Sequence, residues 1–294
     1  MSKGQIIISL DFEAAWGVID HGVWQSKEKQ NVYEALRPRL QEFVALLGDL
    51  EIACTWATVG AMIDDPEHRD VSYLKGRFGR EAQHFVETAQ QQSFDGRDLL
   101  DIVQTCTTPQ KFGTHTYSHL LLSDPEQDAG VMRIDLEKAC AANRRRGIAA
   151  DVLVFPRNLH GYFDELIEAG IEKVRMPATH GPDPYAPAPR LKRFSRALFS
   201  KPSPVLDEVS DTGLNLHYAS ELLNWGVGPS QLKVAITKRR IRTSVEMARS
   251  GAAMHFWLHP FDLVEAPGLY DFVKETLSTI AAAREASELE IGVF

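Results

Sequence analysis

The chain has 294 residues, 44% of them hydrophobic and 24% charged, which supports a sizeable core and excludes a disordered or fibrous protein. Its formal net charge of −8 argues against nucleic acid or an anionic membrane surface as partner. No apolar run approaches the ~18 residues of a membrane span, and the three cysteines (Cys54, Cys106, Cys140) lack any C-x-x-C pair, which predicts reduced, mostly buried thiols.

Met1-Ser-Lys-Gly runs into the first apolar segment without a secretory h-region, so the expected compartment is the cytoplasm. Gln5-Ile-Ile-Ile-Ser-Leu-Asp-Phe-Glu13 reads as a strand buried on both faces in a parallel sheet. It ends in two acids, Asp11 and Glu13. Side chains two apart on a strand share a face, so both should project into one space at the strand's C-terminal end, where α/β active sites sit. Taken alone, a cap and a surface ion pair would explain the two acids equally well.

Asn31 to Leu47 has helical apolar spacing, and Ile52 to Val59 reads as a second strand with Gly60 opening a turn. Residues 64–108 are more polar, with helical patches around Glu81–Gln91 and Asp98–Thr105, and read as an excursion within one domain. Lys111-Phe-Gly-Thr-His115 is a third strand ending at a histidine. Asp124 and Pro125 precede a helix through Arg144 that Gly147 stops. Val152–Pro156 is a strand with a turn after it, Gly161–Ala169 a short helix, and Glu172–Met176 another strand. Pro182 to Pro189 is a loop. Leu191–Phe199 is expected to be helical, Leu214–Tyr218 a strand, and Pro229–Arg249 a helix. Ala252–Leu258 is a strand ending at His259-Pro260, Leu269–Ala286 an amphipathic helix, and Ile291–Phe294 a terminal strand. Arg144-Arg145-Arg146 and Lys238-Arg239-Arg240 read as solvated helix faces, and Trp16, Trp24, Trp225 and Trp257 as core rather than sugar platforms. About seven strands alternating with helices is the pattern of a single-domain α/β barrel over 1–294. Asp11, Glu13, His115, Arg157 and His259 all fall at strand ends, as a barrel active site requires.

His115-Thr-Tyr-Ser-His119 is the strongest local signal. On one helical turn, or a loop entering a helix, this spacing aims both imidazoles at one point and suits a transition metal. By itself the H-x-x-x-H spacing is common. With a carboxylate added, two histidines leave an open coordination position, as in catalytic zinc sites. A metal can lower the pKa of a water to roughly 7, and the spare acid can serve as a base. His259, following Phe256-Trp-Leu258, reads either as a core histidine or as a general acid. Arg157 reads as a loop cation or a bidentate partner for a buried carboxylate.

Ser9-Leu-Asp-Phe-Glu13, His115-Thr-Tyr-Ser-His119, the Pro156-Arg157 turn and Leu258-His259 together resemble the polysaccharide deacetylase superfamily (NodB-like, carbohydrate esterase family four). Ala53-Cys-Thr-Trp-Ala-Thr-Val-Gly60 also resembles that family's second strand, so the likeness spans most of the chain. It implies a distorted (β/α)7 barrel with Asp11 as general base, His115 and His119 as the metal-binding pair, Arg157 as the partner of Asp11, and His259 as general acid. The family's first motif has adjacent aspartates; here Phe12 intervenes, which makes Glu13 the candidate third ligand. The Asp-x-Glu form also resembles the intracellular and ureide-amidohydrolase branch. The fourth motif, an aspartate pair before a tryptophan, has no clean match, and Glu221 to Trp225 is the nearest stretch.

The resemblance implies a divalent metal, most simply Zn2+, with a metal-free protein as the alternative. It implies hydrolysis of an N-acetyl amide on a sugar or glycan precursor, in surface-polysaccharide metabolism if the compartment is cytoplasmic. Rival readings are a small ureide, cyclic amide or formamide as substrate, and a catalytically silent carbohydrate-binding barrel. A glycosidase using Asp11 and Glu13 is disfavoured, because its two acids must flank the scissile bond. The sequence leaves room for a homo-oligomer.

Overall fold

Strand β1 (Gly4–Phe12) shows how the chain sorts its side chains. Ile6, Ile8, Leu10 and Phe12 pack into the main core between strands and helices, whereas Ile7 belongs to a separate interior cluster with Ala57, Val152, Val154 and Phe294. This alternation is the period-2 geometry of a strand, and it divides an outer apolar layer from the inside of a barrel. The structure, a computed structural model, describes residues 3–178, 198 and 200–294. The proline-rich Pro182–Pro189 stretch lies outside the described residues, as does almost all of the helix expected over Leu191–Phe199.

The other strands are β2 (Thr55–Thr58), β3 (Lys111–Thr114), β4 (Val152–Val154), β5 (Lys173–Met176), β6 (Leu206–Val209), β7 (Asn215–Tyr218), β8 (Glu221–Leu222), β9 (Ala253–Leu258) and β10 (Leu289–Gly292). They form one sheet in the order β6-β7-β5-β4-β3-β2-β1-β9-β8, with β10 also beside β1. The sheet curls until it meets itself. β7 pairs in parallel with β5, and two residues later the same stretch pairs in parallel with β9 as β8. Between them the Ala219 N–H donates to the Met176 carbonyl and the Ser220 N–H to that of His255. Counting β7 and β8 as one stave leaves seven parallel staves, the distorted (β/α)7 barrel that the family resemblance implies. β2 is short, so β10 pairs with the first half of β1 and β2 with the second. β6, not foreseen, is an exposed antiparallel partner of β7.

Helices cover the outside. Ser26 caps Lys27–Asp49, whose Tyr33, Leu36, Leu40, Phe43, Val44 and Leu47 are buried at helical spacing. Asp128 caps Ala129–Arg145, a start four residues later than Pro125, and Ser230 caps Gln231–Arg249. Gly60 opens a one-turn helix, Gly60–Ile63, rather than a plain turn. The excursion carries helices Gly76–Thr88, Gln91–Phe94 and Arg97–Gln104. It packs Phe85 edge-on against Trp16 and Trp24, while the Trp16 indole N–H donates to the Phe94 carbonyl at 3.0 Å. All four tryptophans assigned to the core are buried.

The basic clusters are not simply solvated. Arg145 forks onto Asp64, Arg146 reaches Asp65 and the Ile63 carbonyl, and Arg240 forks onto buried Glu221. The three cysteines are free thiols. No helix among the described residues is long and apolar enough to cross a membrane.

Candidate active site at the C-terminal mouth of the barrel

Because all seven staves run parallel, their C-terminal ends open at one mouth. The inward parity of β1 continues past the strand to Glu13, and that of β9 to His259. Glu13 is buried, and its Oε2 lies 3.0 Å from Nε2 of His115 and 3.0 Å from Nε2 of His119. One ligand atom from each of the three lies within 4.8 Å of the others. A Cβ on Gly17 would sit 2.0 Å from Glu13 Oε1, so a larger residue there would push this carboxylate out of its present place under the segment Ala14–His21.

The two histidines are not on a helical turn. They bracket a loop in which Thr116 (φ 63°) and His119 (φ 58°) adopt left-handed backbone. Buried Asp135 shapes that loop by accepting from the Tyr117 and Ser118 N–H groups and from the Ser118 and Tyr73 hydroxyls. Asp64 accepts from the Tyr117 hydroxyl at 2.9 Å. Strain at two non-glycine residues is thus held by a fully hydrogen-bonded carboxylate.

Asp11 sits one step deeper than Glu13. Its carboxylate is gripped by Arg175 of β5, Nη1 to Oδ1 at 2.5 Å and Nη2 to Oδ2 at 2.7 Å. Burial alone would raise its pKa; the Arg175 charge and hydrogen bonds outweigh that and keep it below the ordinary carboxylate range. Arg157, expected as this partner, lies elsewhere. Its backbone is left-handed (φ 54°), which turns the guanidinium onto Asp20 and the Gly17 carbonyl. It therefore braces the segment above Glu13 instead of touching Asp11.

Across the mouth, His259 Nε2 faces Asp11 Oδ2 at 3.9 Å and Glu13 Oε1 at 3.8 Å. Its Nδ1 donates to Asp262 Oδ2 at 2.9 Å, and its ring stacks on Phe261. Burial disfavours the imidazolium, but Asp262, Glu13 and Asp11 overcome this and push its pKa up to about 10. Sequence reasoning missed Asp262; in the stretch nearest the fourth motif, Glu221 is engaged by Arg240.

The donor set fits a divalent cation. His115 gives its Nδ1 proton to the Val154 carbonyl at 2.8 Å, so in the neutral ring the Nε2 lone pair faces a carboxylate oxygen. At His119, burial lowers the pKa more than Glu13 raises it, which favours the neutral ring. The His115 lone pair and the Glu13 carboxylate are two acceptors turned toward one point, a contact that a cation would relieve, and one carboxylate with two imidazoles is a catalytic-zinc set.

No family model matches the sequence, and no curated protein aligns with it significantly. Solved structures do match the fold. A Mycobacterium smegmatis protein assigned as a polysaccharide deacetylase superposes with a TM-score of 0.56 at 15% identity, over 98% of this chain and 93% of that one. The barrel has a polysaccharide-deacetylase fold. The same fold is shared by the alpha-amylase AmyC of Thermotoga maritima (TM-score 0.57, 9% identity, 99% of this chain and 73% of that one). A GH57-type branching enzyme of Pyrococcus horikoshii matches with a TM-score of 0.55 at 11% identity, over 99% of this chain and 69% of that one. At such identities the likeness defines the deacetylase-type barrel and not its reaction.

Proposed function

We propose that the protein is a metal-assisted hydrolase that removes an N-acetyl group from a sugar or glycan precursor. One observation carries this reading: five buried side chains from three distant stretches converge at one mouth, with Asp11 held by Arg175, His115 by the Val154 carbonyl and His259 by Asp262. Glu13, His115 and His119 would hold the ion. When bound, it supplies Lewis-acid polarisation of the acetyl carbonyl and a nucleophilic water at neutral pH.

The chain's own groups supply the proton traffic. Asp11, kept ionised and oriented by Arg175, accepts the proton of the attacking water. As the C–O bond forms and the C–N bond breaks, His259 gives its Nε2 proton to the departing amine. The imidazolium needed for that step is the form favoured by Asp262. The balanced outcome is an amide and water converted to acetic acid and an amine. The two acids sit on one strand face beside the histidines, an arrangement that leaves the imidazoles idle in any glycosidase scheme. The test is acetate release from N-acetylated chito-oligosaccharides by the zinc- or cobalt-loaded protein. Release abolished in Asp11→Asn, with metal retained, supports the reading; release only from ureides or formamides moves it to the amidohydrolase alternative.

A further inference from the structure

Below the mouth, the barrel interior holds polar groups that this reaction does not use. His255 of β9 and His217 of β7 are both buried and face inward, their rings packed on Phe294. They belong to an unbroken chain of contacts. Asp207 Oδ1 lies 2.7 Å from His217 Nδ1, His217 Nε2 lies 2.9 Å from His255 Nδ1, and His255 Nε2 lies 2.8 Å from Ser9 Oγ. Ser9 Oγ lies 3.0 Å from Nη1 of Arg175, the arginine that grips Asp11. Barrel interiors of this kind are usually filled with Val, Ile and Leu, and a buried polar group is tolerated only with a partner. A polar column here calls for a role.

The donors leave one consistent arrangement. Arg175 can only donate, so Ser9 accepts from it and keeps its single hydrogen available for His255 Nε2. Asp207, a carboxylate, can only accept, so His217 donates from Nδ1. Burial lowers the pKa of both rings, with Arg175 and Lys173 adding to the effect at each and Asp207 opposing it at His217 without cancelling it, so both favour the neutral form. Each neutral ring then carries its one proton on Nδ1, and every hydrogen bond runs from Ser9 toward Asp207. β6 makes sense in this light: the exposed strand sets Asp207 directly opposite His217.

We propose that Asp207, His217 and His255 are positioning residues, a one-way hydrogen-bond chain that fixes the orientation of the Ser9 hydroxyl, and so of the lone pair it offers Arg175, and thereby holds the Arg175 fork in register with Asp11. The catalytic meaning of this chain rests on reading Asp11 as the base. The chain itself does not. Asp207 is the point to perturb, because its side chain is 62% exposed and its replacement leaves the core intact.

The experiment is imidazole nitrogen NMR on the full chain with labelled histidine, paired with steady-state kinetics. In the wild type both Nε2 atoms should be unprotonated. Asp207→Asn offers an amide that can donate as well as accept, so the His255 proton should redistribute toward Nε2. Asp207→Glu, which keeps the carboxylate, should retain the wild-type pattern. The positioning role predicts a kcat in Asp207→Asn lower by on the order of tenfold at unchanged KM and thermal midpoint, within the ~100-fold that a 1 Å misplacement can cost. A wild-type His255 protonated on Nε2, or one unmoved in Asp207→Asn, overturns the chain. Tautomers that shift while kcat stays constant overturn the positioning role. Wild-type protein that releases no acetate defeats the functional reading alone, and the tautomers still decide the chain.

Discussion

Arg175 and Asp11 lie 164 positions apart in sequence, and the guanidinium holds both carboxylate oxygens in a buried fork. Its other face lies over the Trp257 ring, 4.5 Å from the centroid. Breaking such a pair from one side leaves a buried charge unmatched, at about 3–5 kcal/mol. Arg175→Met should therefore destabilise the protein by about that amount in denaturant unfolding and abolish hydrolysis. Arg175→Lys keeps the charge without the fork, and should recover more of the stability than of the activity. Equal recovery of both would separate Arg175 from the chemistry.

Gly17 is the second point of leverage. A methyl group at this position would lie 2.0 Å from Glu13 Oε1, so Gly17→Ala must displace the carboxylate. Zinc affinity should fall about 10–100-fold, the usual effect of disturbing a group that orients a ligand, with the circular dichroism spectrum unchanged. Calorimetric titration with zinc reads this directly; unaltered affinity would mean that Glu13 is not a ligand.

Asp135 tests the loop. Its carboxylate accepts from two backbone N–H groups and two hydroxyls, and Asp135→Ala strands all four. Each orphaned buried donor costs about 1–3 kcal/mol, so the variant should be strongly destabilised. Asp135→Asn, which keeps one acceptor oxygen, should fold but bind zinc more weakly, because Thr116 and His119 lose what holds them in left-handed backbone.

Stability should also depend on pH in a dome, in protein freed of metal. His217 and His255 have folded-state pKa values lowered by burial. The unfolded chain therefore takes up protons below about pH 6.5 that the folded chain refuses. Their contribution is full above that value and is lost as pH falls below it. His259 has the opposite sign: with a folded pKa of about 10, its contribution is full below about 6.5 and fades as pH rises toward 10. Thermal midpoints from pH 5 to 10 check both limbs. His255→Gln should flatten the acid side, and Asp262→Asn the alkaline side.

The sequence displayed some of this site openly. Asp11 and Glu13 were legible because strand parity is strict and β1 is long. His115 and His119 were legible as a pair, although the loop that joins them was not, since a helical turn and a left-handed loop can share a four-residue spacing. Arg175 was hidden in plain view as the one charge within Val174-Arg-Met176, where Val174 and Met176 face the outer core. The same parity that placed Asp11 puts Arg175 inward, and a charge facing into a barrel needs a counter-charge there. Arg157 drew attention through its proline turn, but its positive φ, which no sequence pattern announced, turns it to Asp20. Asp262 follows His259 in a short turn with no periodicity to flag it. The barrel itself was readable from the alternation of elements; its closure by β7 and β8 as one bent stave depends on two tertiary hydrogen bonds that propensity does not encode.

The central claim is that Glu13, His115 and His119 meet around one cation, and elemental analysis of protein purified without chelator tests it most directly. The expected result is about one zinc-like ion per chain, the occupancy of a single catalytic site, lost in His119→Ala and in Glu13→Gln while the fold persists. Wild-type protein that carries no divalent ion, and takes up none from micromolar zinc, would contradict it.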